Sequence, residues 1–466
     1  MEFDDIVGIS QSLPQEIFDN ILGQLHNDTA TLRECALVSP AWLATARVAL
    51  FHRISLDPPK NPTNRKKAFF SRRGETPLTP CAKLFNTISF NLAQIAHEGR
   101  KDDTPIAHYI REIRLIEGML FREWLAHEDK LPHLLRLLPN LRRFEIGRSA
   151  SMSTPWAGLP GSLKDAIQGH VFALPSLSEV KLSSLMFESV KCVHFMLASC
   201  KRLRILELDH ITFKSGSARC LDGERKTVEI DKAQLDTLLI GPRTSTLLID
   251  MLLHPASAIA LGAIRKLSMS ISGDFAEFAK LLHASISVEQ LEIVLMNDTD
   301  LQEYWKLPPS QQFDLTQVAH LRTLRINIDV LQKMDDPLPW VRAIVQSGVD
   351  TLRGNARPNM MQKIHIVYAL YLPAPYMDRS VNTTIFECWT DIDAVLCGHE
   401  PGTEYDAEQE PKWHTYDNLE QVTLDFMLEN PIGFGVAPRF LKEVVIDSPW
   451  LEEKRFLKIN AFDTSK

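Results

Sequence analysis

IRKLSM (264–269), VEQLEI (288–293) and LRTLRI (321–326) share one form: an apolar residue, two polar ones, then apolar, polar, apolar. The alternation that closes the form is the pattern of a strand with one buried face. The form recurs at FHRISL (51–56), IREIRL (110–115), LRRFEI (141–146), LSEVKL (177–182), LRILEL (203–208), LDTLLI (235–240), MQKIHI (361–366), LEQVTL (419–424) and LKEVVI (441–446), which makes twelve seeds. The apolar spacing alone arises about a dozen times by chance in a chain of this length. With all three intervening residues required to be polar, nine of the twelve seeds pass and only those at 203, 235 and 441 fail, against about one expected by chance.

From residue 110 the seeds lie 22–40 residues apart, with one gap of 58. Such a period belongs to repeat architectures with one strand and one crossover per unit. Segments between seeds carry helical spacing, as in SVKCVHFMLAS (189–199) and FAEFAKLLHAS (275–285), and CAKLFNTISF (81–90) predicts a short helix. LPN and LPS precede the seeds at 141 and 177, where proline stops a helix before an extended segment. Strand alternating with helix predicts a parallel sheet. The seeds' apolar positions then face the core. Their neighbours Glu145, Lys181, Glu207, Ser268, Glu292, Arg325, His365 and Thr423 form a row on the other face, with Leu239 and Val445 in the same register. Of that row Glu145, Lys181, Glu207, Glu292, Arg325 and His365 are the candidate contacts to a protein target; the loops between seeds are the competing reading.

The chain has 466 residues, 45% apolar and 24% charged, with a formal net charge of −8. This is ordinary globular usage, and it excludes a collagen, a wholly disordered chain and a polytopic membrane protein. Nothing in the bulk charge favours nucleic acid, so none is expected as a partner. The seven cysteines are scattered, without a CxxC pair, and fit a reducing compartment. The start, MEFDDIVGIS, lacks a basic segment and a long apolar run, and no stretch approaches ~20 apolar residues. A cytoplasmic or nuclear protein without a membrane partner is expected.

The first fifty residues carry a different pattern. Ser12 caps a helix with Pro14 in its first turn, and Ile17, Ile21 and Leu25 follow at four-residue spacing. Asn27, Asp28 and Thr29 end that helix and offer caps for a second, through Leu32, Cys35, Leu37 and Val38. Ser39 and Pro40 open a third, with Trp42, Ala46 and Leu50. Three short helices bury little surface and need a partner, either the rest of the chain or another protein.

LPQEIFDNILGQL (13–25), Leu32, CALVSPAW (35–42) and LFHRI (50–54) together resemble an F-box. Leu13, Pro14, Glu16, Ile17, Ile21, Leu25, Val38 and Trp42 stand in register with the family pattern, and Ser39 departs from it where many members have cysteine. The resemblance implies docking to a Skp-family adaptor and, through it, to the cullin of a ubiquitin ligase. It implies Leu13, Pro14, Ile17, Ile21, Leu25, Leu32, Val38 and Trp42 as adaptor contacts, each of which also suits an internal core. The seeds look like an irregular leucine-rich-repeat array lacking the usual asparagine position. The whole plan is similar to F-box families expanded in fungi.

The expected fold is α/β: an N-terminal three-helix F-box at 12–54, a linker at 55–105 with a basic loop and a short helix, a leucine-rich-repeat-like solenoid with a parallel sheet at 106–455, and a tail at 456–466. The basic residues Lys60, Arg65, Lys66, Lys67, Arg72 and Arg73 read as a solvated loop, a nuclear localisation signal or an anion patch, and the acidic stretch 398–417 as a solvated loop inserted into one repeat or an element that recruits a basic partner. No phosphate-binding glycine loop, nucleophile elbow or H-E-x-x-H is present. His127–Glu128–Asp129 lacks a second histidine, and Cys388, Cys397 and His399 lack a fourth ligand. The expectation is a receptor subunit without catalytic residues, metal or cofactor of its own, which brings an unknown protein substrate to a ligase. The alternatives are a Skp-bound scaffold outside a ligase and an enzyme whose site is assembled only in three dimensions.

Overall fold

A computed structural model describes residues 15–25, 28–38, 40–57, 79–98, 104–118, 124–148, 153–214, 232–296, 299–330, 337–350, 360–370, 389–400, 402, 406, 418–428, 448–453 and 455–463. Leu13, Pro14, the basic run at 65–73, most of 398–417 and the seed at 441–446 lie outside them. The chain divides into two units: Met1–Arg204 with Ile211–Ala218, and Ile205–His210 with Arg219–Lys466.

The first unit opens with helices α1 (Gln15–Gln24), α2 (Thr29–Val38) and α3 (Pro40–Phe51). It continues with β1 (Arg53–Leu56), α4 (Pro80–Glu98), β2 (Glu112–Glu117), β3 (Arg143–Arg148), the short β4 (Thr154–Pro155) and β5 (Glu179–Phe187). The sheet order is β1-β2-β3-β5, all parallel. Helices Leu131–Arg136 and Gly161–Ala166 lie in the crossovers.

The second unit holds most of β6 (Ile205–Phe213), then β7 (Ala233–Gln234), β8 (Thr237–Ile240), β9 (Ile259–Ala260), β10 (Lys266–Ile271), β11 (Gln290–Leu295), β12 (Thr323–Val330), β13 (Lys363–Leu370), β14 (Gln421–Leu428) and β15 (Leu457–Asp463). Its sheet runs β6-β8-β10-β11-β12-β13-β14-β15, again parallel, and β7 pairs with β9 separately. Helices Thr246–Leu253, Phe275–Ala284, Leu338–Asp350 and Trp389–Cys397 lie in its crossovers.

Eleven of the twelve seeds carry a strand of these sheets, and each strand begins two residues after the first apolar residue of its seed. The apolar positions are buried as the alternation requires: Leu321, Leu324 and Ile326 in one seed, Val288, Leu291 and Ile293 in the one before. Two pleats are reset within the longest strands. Ser184 in β5 and His210 in β6 take positive φ, 50° and 52°. After each, burial shifts by one residue, from Leu182 to Leu185 and from Leu208 to Ile211. A left-handed residue inserted in this way is a bulge that re-aims the strand. In β5 it turns Leu185 and Met186 to pair with β4.

Three boundaries differ from the sequence reading. β1 starts at Arg53, so LFHRI closes the helices and opens the sheet at once, and no linker separates them. α4 has 19 residues and reaches Glu98, well past the short helix predicted. The segment read as a tail holds β15, the last strand beside β14. In the seed frame its first apolar place falls on Lys454 and a polar place on Phe456, which is why the form misses it. The approach to β15 is held by Asp393, whose buried carboxylate accepts the backbone N–H groups of Trp450 (3.0 Å) and Leu451 (2.9 Å) at the start of helix Pro449–Glu453.

β3 and β5 approach so closely that a Cβ on Gly147 would lie 2.0 Å from Ser183 Oγ and 2.4 Å from its backbone oxygen. The hydroxyl can rotate away but the carbonyl cannot. Gly147→Ala should therefore cost about 1–3 kcal/mol through forced strand separation, whereas Gly161→Ala, with nothing within 4 Å, should stay within about 0.5 kcal/mol. Urea unfolding of both variants checks this; equal midpoints would refute the close approach.

Candidate functional site

Two surfaces gather the residues singled out by sequence. The first is the helical unit α1–α3. Glu16 in the first turn of α1 complements the helix dipole. Asp28 caps α2, its carboxylate accepting from Thr31 N (3.0 Å) and Thr31 Oγ1 (2.6 Å). The Thr31 side-chain bond first, and its backbone bond second, hold the Asp28 carboxyl below its ordinary range. Pro40 occupies the first position of α3, where its missing N–H costs nothing. Thr45 Oγ1 donates to Asp19 Oδ1 (2.7 Å) and ties α3 to α1.

Leu22, Leu32, Cys35 and Ala46 are the buried core of this unit, with Leu25, Ala36, Trp42, Ala49 and Leu50 packed partly around them. Around so small a core, large apolar side chains stay in water. Ile17 is 41% exposed, Ile21 44%, Val48 44%, Val38 63% and Leu37 81%. Ile17 and Ile21 stand one above the other on α1.

The expected adaptor contacts thus divide. Ile17, Ile21 and Val38 are open to a partner, Leu25 and Trp42 are half-buried against the core, and Leu32 is fully buried inside it. Leu32 is a core residue because Cys35, three residues on, turns the same side of α2 inward. Leu37 and Val48 are exposed apolar positions that were not among the expected adaptor contacts. Leu37 follows Leu32 and Cys35 by five and two residues, about 140° and 200° around the helix, so the wheel already turned it outward.

The second surface is the outer face of the sheets. In the first unit Arg114, Glu145 and Lys181 stand in register on β2, β3 and β5, and Arg53, Glu112, Arg143 and Glu179 do so one step earlier on β1, β2, β3 and β5. Opposite charges meet across the ladder: Arg53–Glu112 at 3.7 Å, Arg114–Glu145 at 2.9 Å and Arg143–Glu179 at 3.3 Å. Glu145 is only 5% exposed. It is consumed by its ion pair, which takes it out of the set of target contacts.

In the second unit the row runs Glu207, Leu239, Ser268, Glu292, Arg325, His365, Thr423 and Lys458. Glu292 accepts from Ser268 Oγ (3.1 Å) and Asn327 Nδ2 (2.7 Å) and lies 3.4 Å from Arg325 Nε. His365 Nε2 meets Asp425 Oδ2 at 2.6 Å, and Asn460 Nδ2 donates to Asp425 Oδ1 at 2.7 Å. Asn327, Asp425 and Asn460 were not foreseen. They sit two residues after the seed row, beyond the six-residue form that was read.

Among the described residues no group of three or more His, Cys, Asp or Glu side chains is placed to hold a metal ion. His399 is buried and stacked on Trp450 with ring centres 4.6 Å apart. Cys397 is buried, and Cys388 lies outside the described residues. His127 ends the short helix Trp124–His127. Burial pushes the Cys81 thiol up to about 12, Glu128 adding to the effect, and raises that of Cys200 further. These are inert thiols. No helix among the described residues is long and apolar enough to cross a membrane. No protein-family model matches the chain, and no curated protein matches it.

Two outcomes are expected for the helical unit. Leu32→Ala should cost about 2–5 kcal/mol and Leu37→Ser no more than about 0.5 kcal/mol, read as lowered melting of the full chain. Equal effects would mean that the burial pattern is wrong. For the α2 cap, the lowered Asp28 pKa contributes stability above the ordinary carboxylate range, and that contribution is lost as pH falls through the lowered value. Asp28→Ala should therefore melt below wild type at pH 7 and merge with it in strong acid; a pH-independent difference would contradict the cap.

Proposed function

We propose that the chain is a non-enzymatic substrate receptor of a Skp–cullin–F-box ubiquitin ligase. In this reading α1–α3 are an F-box that docks a Skp-family adaptor, and the parallel sheets with their crossover helices are a leucine-rich-repeat-like solenoid that presents a target protein. One observation carries it: among the described residues, five large apolar side chains are exposed on three short helices whose buried core is four residues. An apolar helical surface of this kind is stable in water when a partner covers it, in the helix-in-groove mode. The register of Leu13, Pro14 and the following residues with the F-box pattern supports the same partner. The chain's part in ubiquitin transfer would be proximity, since holding a target beside the loaded conjugate raises effective concentration.

Ile17→Asp with Ile21→Asp should abolish recovery of a Skp-type adaptor from cells that express the tagged full chain. Each buried anchor is worth roughly 1–3 kcal/mol, and both residues are exposed, so the fold and its melting temperature should be retained. Adaptor recovered in undiminished amount would sink the F-box reading. Adaptor recovered by the wild type without any cullin would move the chain to a scaffold outside a ligase.

A further inference from the structure

The outer face of β10–β15 bears four cations, Lys266, Arg325, Lys363 and Lys458, all exposed. The side-chain ammonium groups of Lys266, Lys363 and Lys458 have no hydrogen-bond or ion-pair partner among the described residues. Arg325 uses only its Nε, on Asn327 Oδ1 (2.9 Å) and near Glu292. Its two terminal amino groups are unengaged among the described residues.

Two carboxylates of this face, Glu292 and Asp425, are in the opposite state. Both oxygens of Glu292 are taken, by Ser268 and Asn327, and both of Asp425, by His365 and Asn460. Their side chains are 28% and 15% exposed, against 45% for Arg325. Among the described side chains, a ligand crossing this face therefore meets free cationic donors beside two carboxylates already satisfied from within. This occurs in a chain whose formal net charge is −8.

The spacing suits a peptide. Arg325 and Lys458 share one register level on β12 and β15, with His365 and Thr423 between them. Three strand steps at about 4.8 Å make a span of ~14 Å, the length of roughly four extended residues. Lys363 lies one alternate position earlier on β13, and Lys266 stands at the same level as Lys363 on β10.

We propose that the outer face of β10–β15 binds an acidic peptide segment laid across the strands, its carboxylates meeting Arg325, Lys363 and Lys458, with Lys266 extending the track. The assignment of that segment to a ligase target rests on the function proposed above; the binding itself does not.

The test uses the purified full chain and three fluorescein-labelled twelve-residue peptides of repeating Glu-Ser, Gln-Ser and Lys-Ser. Fluorescence anisotropy should show binding of the Glu-Ser peptide alone, and the affinity should fall as NaCl rises from 50 mM to 500 mM because exposed charges are screened. Arg325→Gln, Lys363→Gln and Lys458→Gln together should weaken it at least tenfold. The control pair Lys280→Gln and Lys306→Gln, on helical segments away from the sheet face, should leave it unchanged. Thermal melting of both variants is read alongside, and glutamine keeps the aliphatic stems. Equal binding of the Glu-Ser and Gln-Ser peptides, wild-type affinity in the triple variant, or equal loss in the control pair would overturn the proposal. Adaptor recovery is measured separately. Its absence alongside intact peptide binding would remove the ligase reading and leave this site standing.

Discussion

In eight of the seeds, the backbone carbonyl of the second residue sets the register of the strand that follows. His52 O accepts the N–H groups of Arg111 and Glu112, Arg111 O those of Arg142 and Arg143, and Arg142 O those of Ser178 and Glu179. In the second unit Asp236, Arg265, Glu289, Arg322 and Gln362 repeat the arrangement with the second and third residues of the seed that follows, at 2.8–3.2 Å. A parallel ladder has no hairpin turn to hold its register, and a slip of one residue would turn every seed inside out. Two donors converging on one acceptor, at the start of β2, β3, β5 and β10–β14, block that slip. The preceding apolar residue anchors the site in the core, as with Ile110, Leu141, Leu177, Leu235, Ile264, Val288, Leu321, Met361 and Leu419, all buried.

With register set, the outer face follows. In-register neighbours lie about 4.8 Å apart, close enough for side chains to pair across strands. Where successive seeds alternate in sign, as along Arg53, Glu112, Arg143 and Glu179, the charges neutralise one another. Where they do not, acids recruit hydroxyls, amides and an imidazole instead, and lysines are left over. The first unit thus has a ladder of ion pairs and the second a row of free cations beside satisfied carboxylates. Exposed ion pairs of this kind add little stability, with a typical worth of about 0–1 kcal/mol. Their consequence is for which groups remain free to meet a ligand.

The helical unit obeys a different constraint. Ten- and twelve-residue helices are marginal alone, and the four side chains buried among the described residues supply little hydrophobic free energy. α1–α3 are held by local devices, the Asp28 cap, Pro40 and the Thr45–Asp19 bond, and by continuity into the sheet at His52. The carbonyl of His52 is the first acceptor of the repeated backbone arrangement, and its imidazole Nε2 lies 3.4 Å from Glu112. The helices that expose apolar side chains are therefore fastened to the sheet without an intervening loop.

The strand positions, their buried faces and the parallel order were legible in the seeds, because a period of two and a period of 22–40 residues are properties of the chain alone. So were the starts of α2 and α3, since Asp28 and Pro40 act within one turn. Tertiary structure decided what depends on a neighbour distant in sequence. Leu32 and Ile21 are both apolar residues at helical spacing, and only the packing of three helices buries one and exposes the other. Glu145 and Glu292 occupy equivalent seed positions, and only the residues brought alongside, Arg114 in one case and Ser268 and Asn327 in the other, make one a buried ion-pair member and the other a half-exposed acceptor. β15 escaped the seed form because lysine and phenylalanine stand where it requires apolar and polar residues. Its place beside β14 comes from backbone hydrogen bonds and from Asp393, which any sequence reading confined to a six-residue window leaves out.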